Sequence, residues 1–202
     1  MELYDNTDCP FGKKVRIVLA EKELSYDTVH IELSQRQHLS EEFLRLNPFG
    51  KVPVLIDENC VIYESTIINE YLNDEYPHPP ELLPEDSAER ARARLLADYA
   101  DRAFTLPGMA VEKELVAAEP DGARMTSARE VMSRTLAMLE RELDGKEFLA
   151  GEFSLADVSF APTLLQLDKL GVSLGDGHAN VREWRDRLAA RPSVGAVVKL
   201  VA

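Results

Sequence analysis

The first part of the chain alternates between short apolar runs and one amphipathic stretch. Residues 2–4 form a run typical of a strand, and apolar residues then recur at helical spacing over residues 15–20, between charged positions. Pro10 suits the first position of that helix, where its missing N–H costs nothing. Alternation over residues 26–33 predicts a second strand.

The same analysis continues to the end of the first domain. A short helix is predicted to begin at Ser40 and to end before Asn47. Two apolar runs, 53–56 and 60–63, are joined by Asp-Glu-Asn, which indicates a β-hairpin. Ser65 then begins a third helix, in which its hydroxyl can serve as the cap. The predicted order of elements is therefore β-α-β-α-β-β-α, a thioredoxin-like arrangement.

A proline cluster, Pro77-His78-Pro79-Pro80, interrupts these patterns. Such a cluster can continue neither a helix nor a central strand. We therefore predict a first domain over residues 1–77, a proline-rich linker over 78–85 and a second domain over 86–202.

The second domain has helical spacing throughout, which makes the whole chain an α/β domain followed by an all-α domain. A kink is expected at Pro107, inside the first of these helices. Ser154-Leu-Ala-Asp157 has the form of a capping box that starts a later helix, and Trp184 is expected in the core. The predicted helices are residues 88–116, 125–143, the segment from Ser154 onward, 181–190 and 193–201.

Composition narrows the classes of function. The 202 residues are 45% hydrophobic with a formal net charge of −13. Such an acidic chain repels phosphate backbones and anionic lipid, so we expect neither direct nucleic-acid binding nor membrane binding. Four histidines and two cysteines show no metal-ligand spacing, so no metal is expected. With no signal-like or spanning segment visible, a cytoplasmic location is expected.

Cys9 is the residue with the strongest chemical interest. It follows a strand and starts a helix, where backbone N–H groups should stabilise a thiolate and lower its pKa, with help from Lys13 and Lys14. Position 12 is Gly, so no intramolecular dithiol can form, and Cys9 alone can form a mixed disulfide but cannot resolve it. The alternative is that Cys9 is a small buried residue that packs a helix start.

Two further pairs are candidates for ligand binding. If the Val52–Pro53 bond is cis, the backbone of Val52 faces outward and can pair with a peptide-like ligand as an added strand. The alternative is an ordinary turn proline. Glu64-Ser65 stands at the head of a helix, where the Ser65 hydroxyl and nearby N–H groups can hold a ligand carboxylate. The alternative there is a plain helix cap.

Four segments together carry a family resemblance: Cys9-Pro-Phe-Gly, Asn47-Pro-Phe-Gly-Lys-Val-Pro53, Tyr63-Glu-Ser65 and Phe153-Ser-Leu-Ala-Asp157. In this order they resemble the glutathione transferase superfamily over essentially the whole chain. The resemblance implies that Pro53 is cis and that the backbone of Val52 pairs with the cysteinyl part of glutathione. It also implies that Glu64 and Ser65 hold the γ-glutamyl end, and that Lys51 or His38 approaches the glycyl carboxylate.

Cys9 is similar in position to the catalytic cysteine of the omega-like and beta-like classes, which forms a mixed disulfide with glutathione. The resemblance therefore implies glutathione as substrate or ligand, thiol transfer or conjugation through Cys9, and a homodimer. The implied glutathione-binding residues are Phe11, His38, Lys51, Val52, Pro53, Glu64 and Ser65.

A narrower resemblance points to a different class of function. The segments 63–71, 75–80 and 83–84 are similar to those of the stringent starvation protein A subgroup, which binds bacterial RNA polymerase. The resemblance implies that Pro77, His78 and Pro79 form the surface that contacts this partner. The alternative is a stiff linker with no partner. Both an enzyme and a transcription regulator remain open on the sequence.

Overall fold

The computed structural model describes residues 1–198, and the chain divides into two compact units, residues 1–81 and residues from 82 onward. In the first unit the predicted β-α-β-α-β-β-α order is confirmed, with a 3₁₀ turn at Gln37–Leu39 that the pattern did not predict. The elements are β1 (Glu2–Asp5), α1 (Pro10–Glu21), β2 (Asp27–His30), α2 (Glu41–Leu46), β3 (Val54–Asp57), β4 (Cys60–Tyr63) and α3 (Ser65–Glu75).

The four strands form one sheet in the order β2-β1-β3-β4. β1 pairs with β2 in parallel and with β3 antiparallel, and β3 and β4 form the predicted hairpin. α1 and α3 pack on one another and bury apolar side chains such as Val18 and Leu72 completely. This parallel crossover brings the carboxyl end of β1 and the first turn of α1 to one place, which is where Cys9 lies.

The second unit is helical, as predicted. Its helices are α4 (Ser87–Ala100), α5 (Leu106–Leu115), α6 (Gly122–Glu142), α7 (Leu155–Leu164), α8 (Leu167–Leu170), α9 (Ala179–Ala190) and α10 (Pro192–Val197). The last predicted helix ran to residue 201, and residues 199–201 lie outside the described part of the chain. α8 was not predicted.

The α-helix predicted over residues 88–116 is interrupted before Pro107. A π-helical segment, Asp101–Thr105, separates α4 from α5, and Pro107 occupies the first turn of α5, where its missing N–H is tolerated. A proline cannot donate to the carbonyl four residues earlier, which here is Ala103. The Thr135 hydroxyl donates to that carbonyl instead, at 3.0 Å. The irregular turn therefore precedes the proline, and a side chain from α6 satisfies the carbonyl.

α7 is buried along its whole length. The predicted capping box is present, with Ser154 as the N-cap and Asp157 as its reciprocal partner. Trp184 from α9 is fully buried, as predicted, and its Nε1 donates to Asp157 Oδ1 at 2.9 Å. The cap of α7 and the packing of α9 therefore depend on one carboxylate.

Candidate functional site

Cys9 lies between β1 and α1 and occupies the N-cap position of α1. Its side chain is only 9% exposed, and its Sγ lies 4.0 Å from the carbonyl oxygen of Val52. The thiol belongs to an apolar cluster of the first unit. The other buried members are Ile31, Phe43, Val52 and Val54, with Tyr4, Phe11, Val29, Leu33, Leu46 and Tyr63 packed against them.

The predicted low pKa of Cys9 is wrong in direction. Burial raises the pKa of the thiol above its usual value, and the charge of Asp5 raises it further. The backbone N–H groups of Gly12 and Phe11, together with Lys13, lower it, as expected at a helix N-terminus. Desolvation outweighs these amides because the thiolate would have to exist in a site that is almost closed to water. The free protein therefore holds Cys9 as a thiol at neutral pH.

The peptide bond between Val52 and Pro53 is cis, as the family resemblance implied. Both residues are buried and directly precede β3, whose pairing with β1 begins at Val54. Val52 thus lies just beyond the paired part of the sheet, with its carbonyl on the thiol of Cys9. The cis bond is confirmed, and the pairing of this backbone with a peptide-like ligand stays a prediction.

Asn47 organises the turn that leads to this edge, a role that the sequence reasoning missed. Its Nδ2 donates to the Lys51 carbonyl at 2.7 Å, and its Oδ1 accepts from the Phe49 N–H at 3.0 Å. Gly50 closes the turn with a φ of 59°, where a side chain would also press against Leu39. An Asn directly before a proline-containing turn is the signal that could have identified it.

Glu64 and Ser65 stand at the start of α3, but the predicted Ser65 cap is wrong. The N-cap is Glu64, whose backbone has a φ of 69°, and Ser65 is the first helical residue. A non-glycine residue in this region costs about 1 kcal/mol or more, and such residues cluster at ligand sites. Ser65 is buried and Glu64 is exposed. Ser65 therefore does not act as the helix cap, and its role in ligand binding stays a prediction.

Of the remaining predicted residues, Phe11 packs on the apolar cluster that contains Cys9 and Val52. The Nδ1 atom of His38 is buried and has no hydrogen-bond partner within the described structure. Lys51 is exposed.

The loop formed by Pro77, His78, Pro79 and Pro80, here called the proline loop, is exposed except for its half-buried last residue. Lys22, at the C-cap of α1, donates from Nζ to the carbonyls of Tyr76 and His78, at 3.0 and 2.9 Å. The His78 Nε2 lies 2.7 Å from the Lys22 carbonyl. Because a carbonyl only accepts, Nε2 carries the proton and Nδ1 is left as an acceptor in the neutral ring.

A second anchor holds the residue that precedes the proline loop. Asp57, at the end of β3, accepts from the hydroxyls of Tyr76 and Tyr71 at 2.6 and 3.0 Å. Chiefly because of this hydrogen bond, the pKa of Tyr76 rises to about 12, so the phenol remains a donor over the physiological range. The start of the proline loop is therefore held by contacts at Tyr76 and His78.

Two segments of the chain match family models of known proteins. Residues 1–74 match the family model described as glutathione S-transferase, N-terminal domain. Residues 85–187 match the model described as glutathione S-transferase, C-terminal domain. The chain belongs to the glutathione S-transferase family.

Individual members of the glutathione S-transferase family divide between two kinds of protein. A stringent starvation protein A homolog of Pasteurella multocida is 34% identical over 190 residues, which is 94% of this chain and 85% of that protein. Glutathione S-transferase 3 of Zea mays is 30% identical over 210 residues, which is 100% of this chain and 94% of that protein. The solved glutathione transferase URE2P6 from Phanerochaete chrysosporium, in complex with oxidized glutathione, has a TM-score of 0.87 and 26% identity over 97% of this chain and 93% of that one.

The fold of this chain also depends on residues that no motif reveals. Lys22 and Asp57 hold the proline loop, and Asp5 lies beside the first turn of α1. Nothing in the local sequence distinguishes them from surface charges, because their partners lie far along the chain.

Two negative findings apply to residues 1–198. No group of three or more His, Cys, Asp or Glu side chains is arranged to hold a metal ion in that range. In the same range, every helix is too short or too polar to span a lipid bilayer.

Proposed function

We propose that the chain binds glutathione in its first unit and exchanges thiols through Cys9. The observation that carries this proposal is the contact of 4.0 Å between Cys9 Sγ and the carbonyl of Val52, beside a cis peptide bond. A tripeptide that pairs with the backbone of Val52 as an added strand would bring its own sulfur to the thiol.

Residues around this edge supply groups that suit the two ends of glutathione. Glu64 holds a costly left-handed backbone and, with buried Ser65, would bind the γ-glutamyl end at the start of α3. His38 has a buried Nδ1 without a partner, which together with Lys51 suits the glycyl carboxylate. Phe11 lies within the apolar cluster around Cys9.

The exchange needs one thiol from the protein. The Cys9 thiol gives up its proton, and the resulting thiolate attacks one sulfur of glutathione disulfide. The disulfide bond of the substrate breaks, a bond between Cys9 and one glutathionyl sulfur forms, and the other glutathione leaves as a thiolate that takes up the proton. Because position 12 is Gly, a second glutathione must release the enzyme. A reduced glutathione bound non-covalently at the same site would serve conjugation to an electrophile.

Replacing Cys9 by Ser is expected to abolish formation of the mixed disulfide, because the hydroxyl cannot form a disulfide. Wild-type protein incubated with glutathione disulfide should gain the mass of one glutathionyl group in the peptide that contains Cys9. The Cys9→Ser variant should gain none there and should bind reduced glutathione with similar affinity in calorimetry.

Cys60→Ser is the matched control, since Cys60 is an exposed cysteine on the β-hairpin. This control should react as the wild type does. Unchanged thiol transfer in Cys9→Ser would remove Cys9 from the mechanism. Absence of binding heat in every variant would refute glutathione as the ligand.

We infer a second candidate function, docking on RNA polymerase through Pro77, His78 and Pro79. It is favoured by the exposure of the proline loop and by the two contacts that join His78 to Lys22, next to a third between Lys22 and Tyr76. A rigid loop loses little conformational entropy on binding, which suits protein contact. The narrower resemblance to the stringent starvation protein A subgroup supports the same surface.

His78→Ala should weaken recovery of RNA polymerase in a pull-down from a bacterial lysate by about tenfold or more, the size expected for a central interface residue. Lys22→Met should weaken it as well, because the carbonyls of the proline loop lose their donor. His30→Ala is the control, since His30 is exposed on β2, away from the loop in the sequence. Equal recovery with wild type and His78→Ala, or none with wild type, would reject this function.

We further propose a homodimer by analogy with the family, a cytoplasmic location from the sequence, and domain limits at residues 1–77, 78–85 and 86–202. Sedimentation velocity of the full chain decides the oligomeric state, and a monomer at micromolar concentration would reject the dimer. Fractionation of cells of the source organism decides the location.

A further inference from the structure

Asp5 is a buried carboxylate at the carboxyl end of β1, and its side chain is only 2% exposed. Arg16 from α1 places its Nε 3.1 Å from Asp5 Oδ2. The other oxygen, Oδ1, is buried without a hydrogen-bond partner within the described structure. A buried charged oxygen without a donor is costly, so its location needs a reason.

Gly12 shows what this oxygen faces. A Cβ atom on Gly12 would lie 1.8 Å from Asp5 Oδ1, which is impossible without movement. The carboxylate therefore packs on the backbone of the first turn of α1. Cys9 is the N-cap of the same turn, and the Gly12 N–H is among the groups that interact with its thiol. Asp5 and Cys9 thus share the first turn of α1.

We propose that Asp5 is a positioning residue for Cys9: its buried carboxylate fills the space beside Gly12 and fixes the first turn of α1, of which Cys9 is the N-cap. The glutathione-binding residues do not include Asp5, and the inference concerns the free protein, so it does not rest on the proposed function.

The charge of Asp5 acts on the thiol of Cys9, and this charge depends on pH. Burial raises the pKa of Asp5 to about 6, although Arg16, the Asn6 N–H, His30 and Lys13 act in the opposite direction. Asp5 is therefore neutral below about pH 6 and negative above it. The ionisable groups that face it are Arg16 and Lys13 from α1, His30 from β2, Tyr26 from the segment before β2, and Cys9.

The sign of the coupling follows from like charges. A negative Asp5 raises the pKa of Cys9, because the thiolate is then a second negative charge in the same buried place. As the pH rises through about 6, Cys9 becomes harder to ionise. The thiolate fraction should therefore increase less steeply with pH in this interval than for an isolated thiol.

The experiment measures the rate of Cys9 alkylation by iodoacetamide against pH, by mass spectrometry, in full-length protein carrying Cys60→Ser. The logarithm of the rate should rise with unit slope on either side of about pH 6 and less steeply through it. With Asp5→Asn added, one straight line should remain, and the rate at neutral pH should be higher than that of the wild type, because the like charge beside the thiolate is gone.

Asp27→Asn is the matched control, since Asp27 is an exposed carboxylate at the start of β2, and it should keep the wild-type profile. Arg16→Gln is the second variant, for the case in which Asp5→Asn fails to fold. Loss of the guanidinium should raise the pKa of Asp5 and move the change of slope to higher pH. Superimposable profiles for wild type and a folded Asp5→Asn, or an unmoved change of slope in Arg16→Gln, would overturn the proposal. Glutathione calorimetry is a separate readout, so failure here leaves the proposed function intact.

Discussion

Replacing Asp157 by Ala should lower the free energy of unfolding of the second unit by about 3–5 kcal/mol, because four buried donors lose their acceptor together. The carboxylate is fully buried and accepts hydrogen bonds from the N–H of Leu149 at 3.0 Å, from the N–H and hydroxyl of Ser154 at 2.9 and 2.8 Å, and from Trp184 Nε1 at 2.9 Å. Each donor left without a partner costs about 1–3 kcal/mol. The loss also removes the reciprocal half of the capping box.

Urea unfolding followed by tryptophan fluorescence measures this change, since Trp184 is the single tryptophan of the sequence and contacts Asp157. Asp157→Asn keeps one acceptor oxygen and should fall between the wild type and Asp157→Ala. Asp144→Ala removes an exposed carboxylate and should change stability by less than about 0.5 kcal/mol. A loss under about 1 kcal/mol for Asp157→Ala would mean that the four donors find other partners.

Replacing Gly12 by Ala should destabilise the first unit by about 3 kcal/mol, the upper part of the range for overpacking. The new Cβ would lie 1.8 Å from Asp5 Oδ1 and 2.4 Å from its Cγ, and the carboxylate cannot turn away without leaving Arg16. This clash gives a steric reason why position 12 carries no second cysteine to pair with Cys9, because any side chain there meets the carboxylate of Asp5.

A double-mutant cycle separates this clash from a simple change in helix propensity. Far-ultraviolet circular dichroism during urea unfolding should show that Asp5→Ala recovers much of the stability lost in Gly12→Ala, because the obstructing carboxylate is gone. Gly175→Ala is the matched control, since no atom lies within 4 Å of the added Cβ. If the two substitutions are additive, the contact between Asp5 and Gly12 does not account for the loss.

Local signals predicted most of the elements. Pro10 in the first turn of α1, the hairpin of β3 and β4 and the capping box at Ser154 all appear where the pattern placed them. Each depends on residues within a few positions of one another, so a single sequence contains the information. The start of α3 is an exception, because the left-handed backbone of Glu64 moved the cap one residue earlier than the serine suggested.

The direction of the Cys9 pKa shift was predicted wrongly because it depends on contacts between separate elements. The amides at the start of α1 act on Cys9 as predicted, but the cluster around Ile31, Phe43 and Val52 buries the thiol and reverses the net effect on its pKa. These residues come from separate elements, and their approach cannot be deduced from the sequence around Cys9. The break before α5 was misplaced for the same reason, since the partner of the Ala103 carbonyl comes from α6.

The sequence alone determined the order of strands and helices and the all-helical second half. It also contained the motifs around Cys9, Pro53 and Ser65. Periodicity, caps and turns act over short distances along the chain, so a single sequence reveals them. The tertiary structure decided the charge state of the Cys9 thiol and the contact between Asp5 and Gly12. It also decided the hydrogen bond from Lys22 to the proline loop. Desolvation and charge interactions depend on distance in space, and the fold brings these groups together from positions that the chain keeps apart.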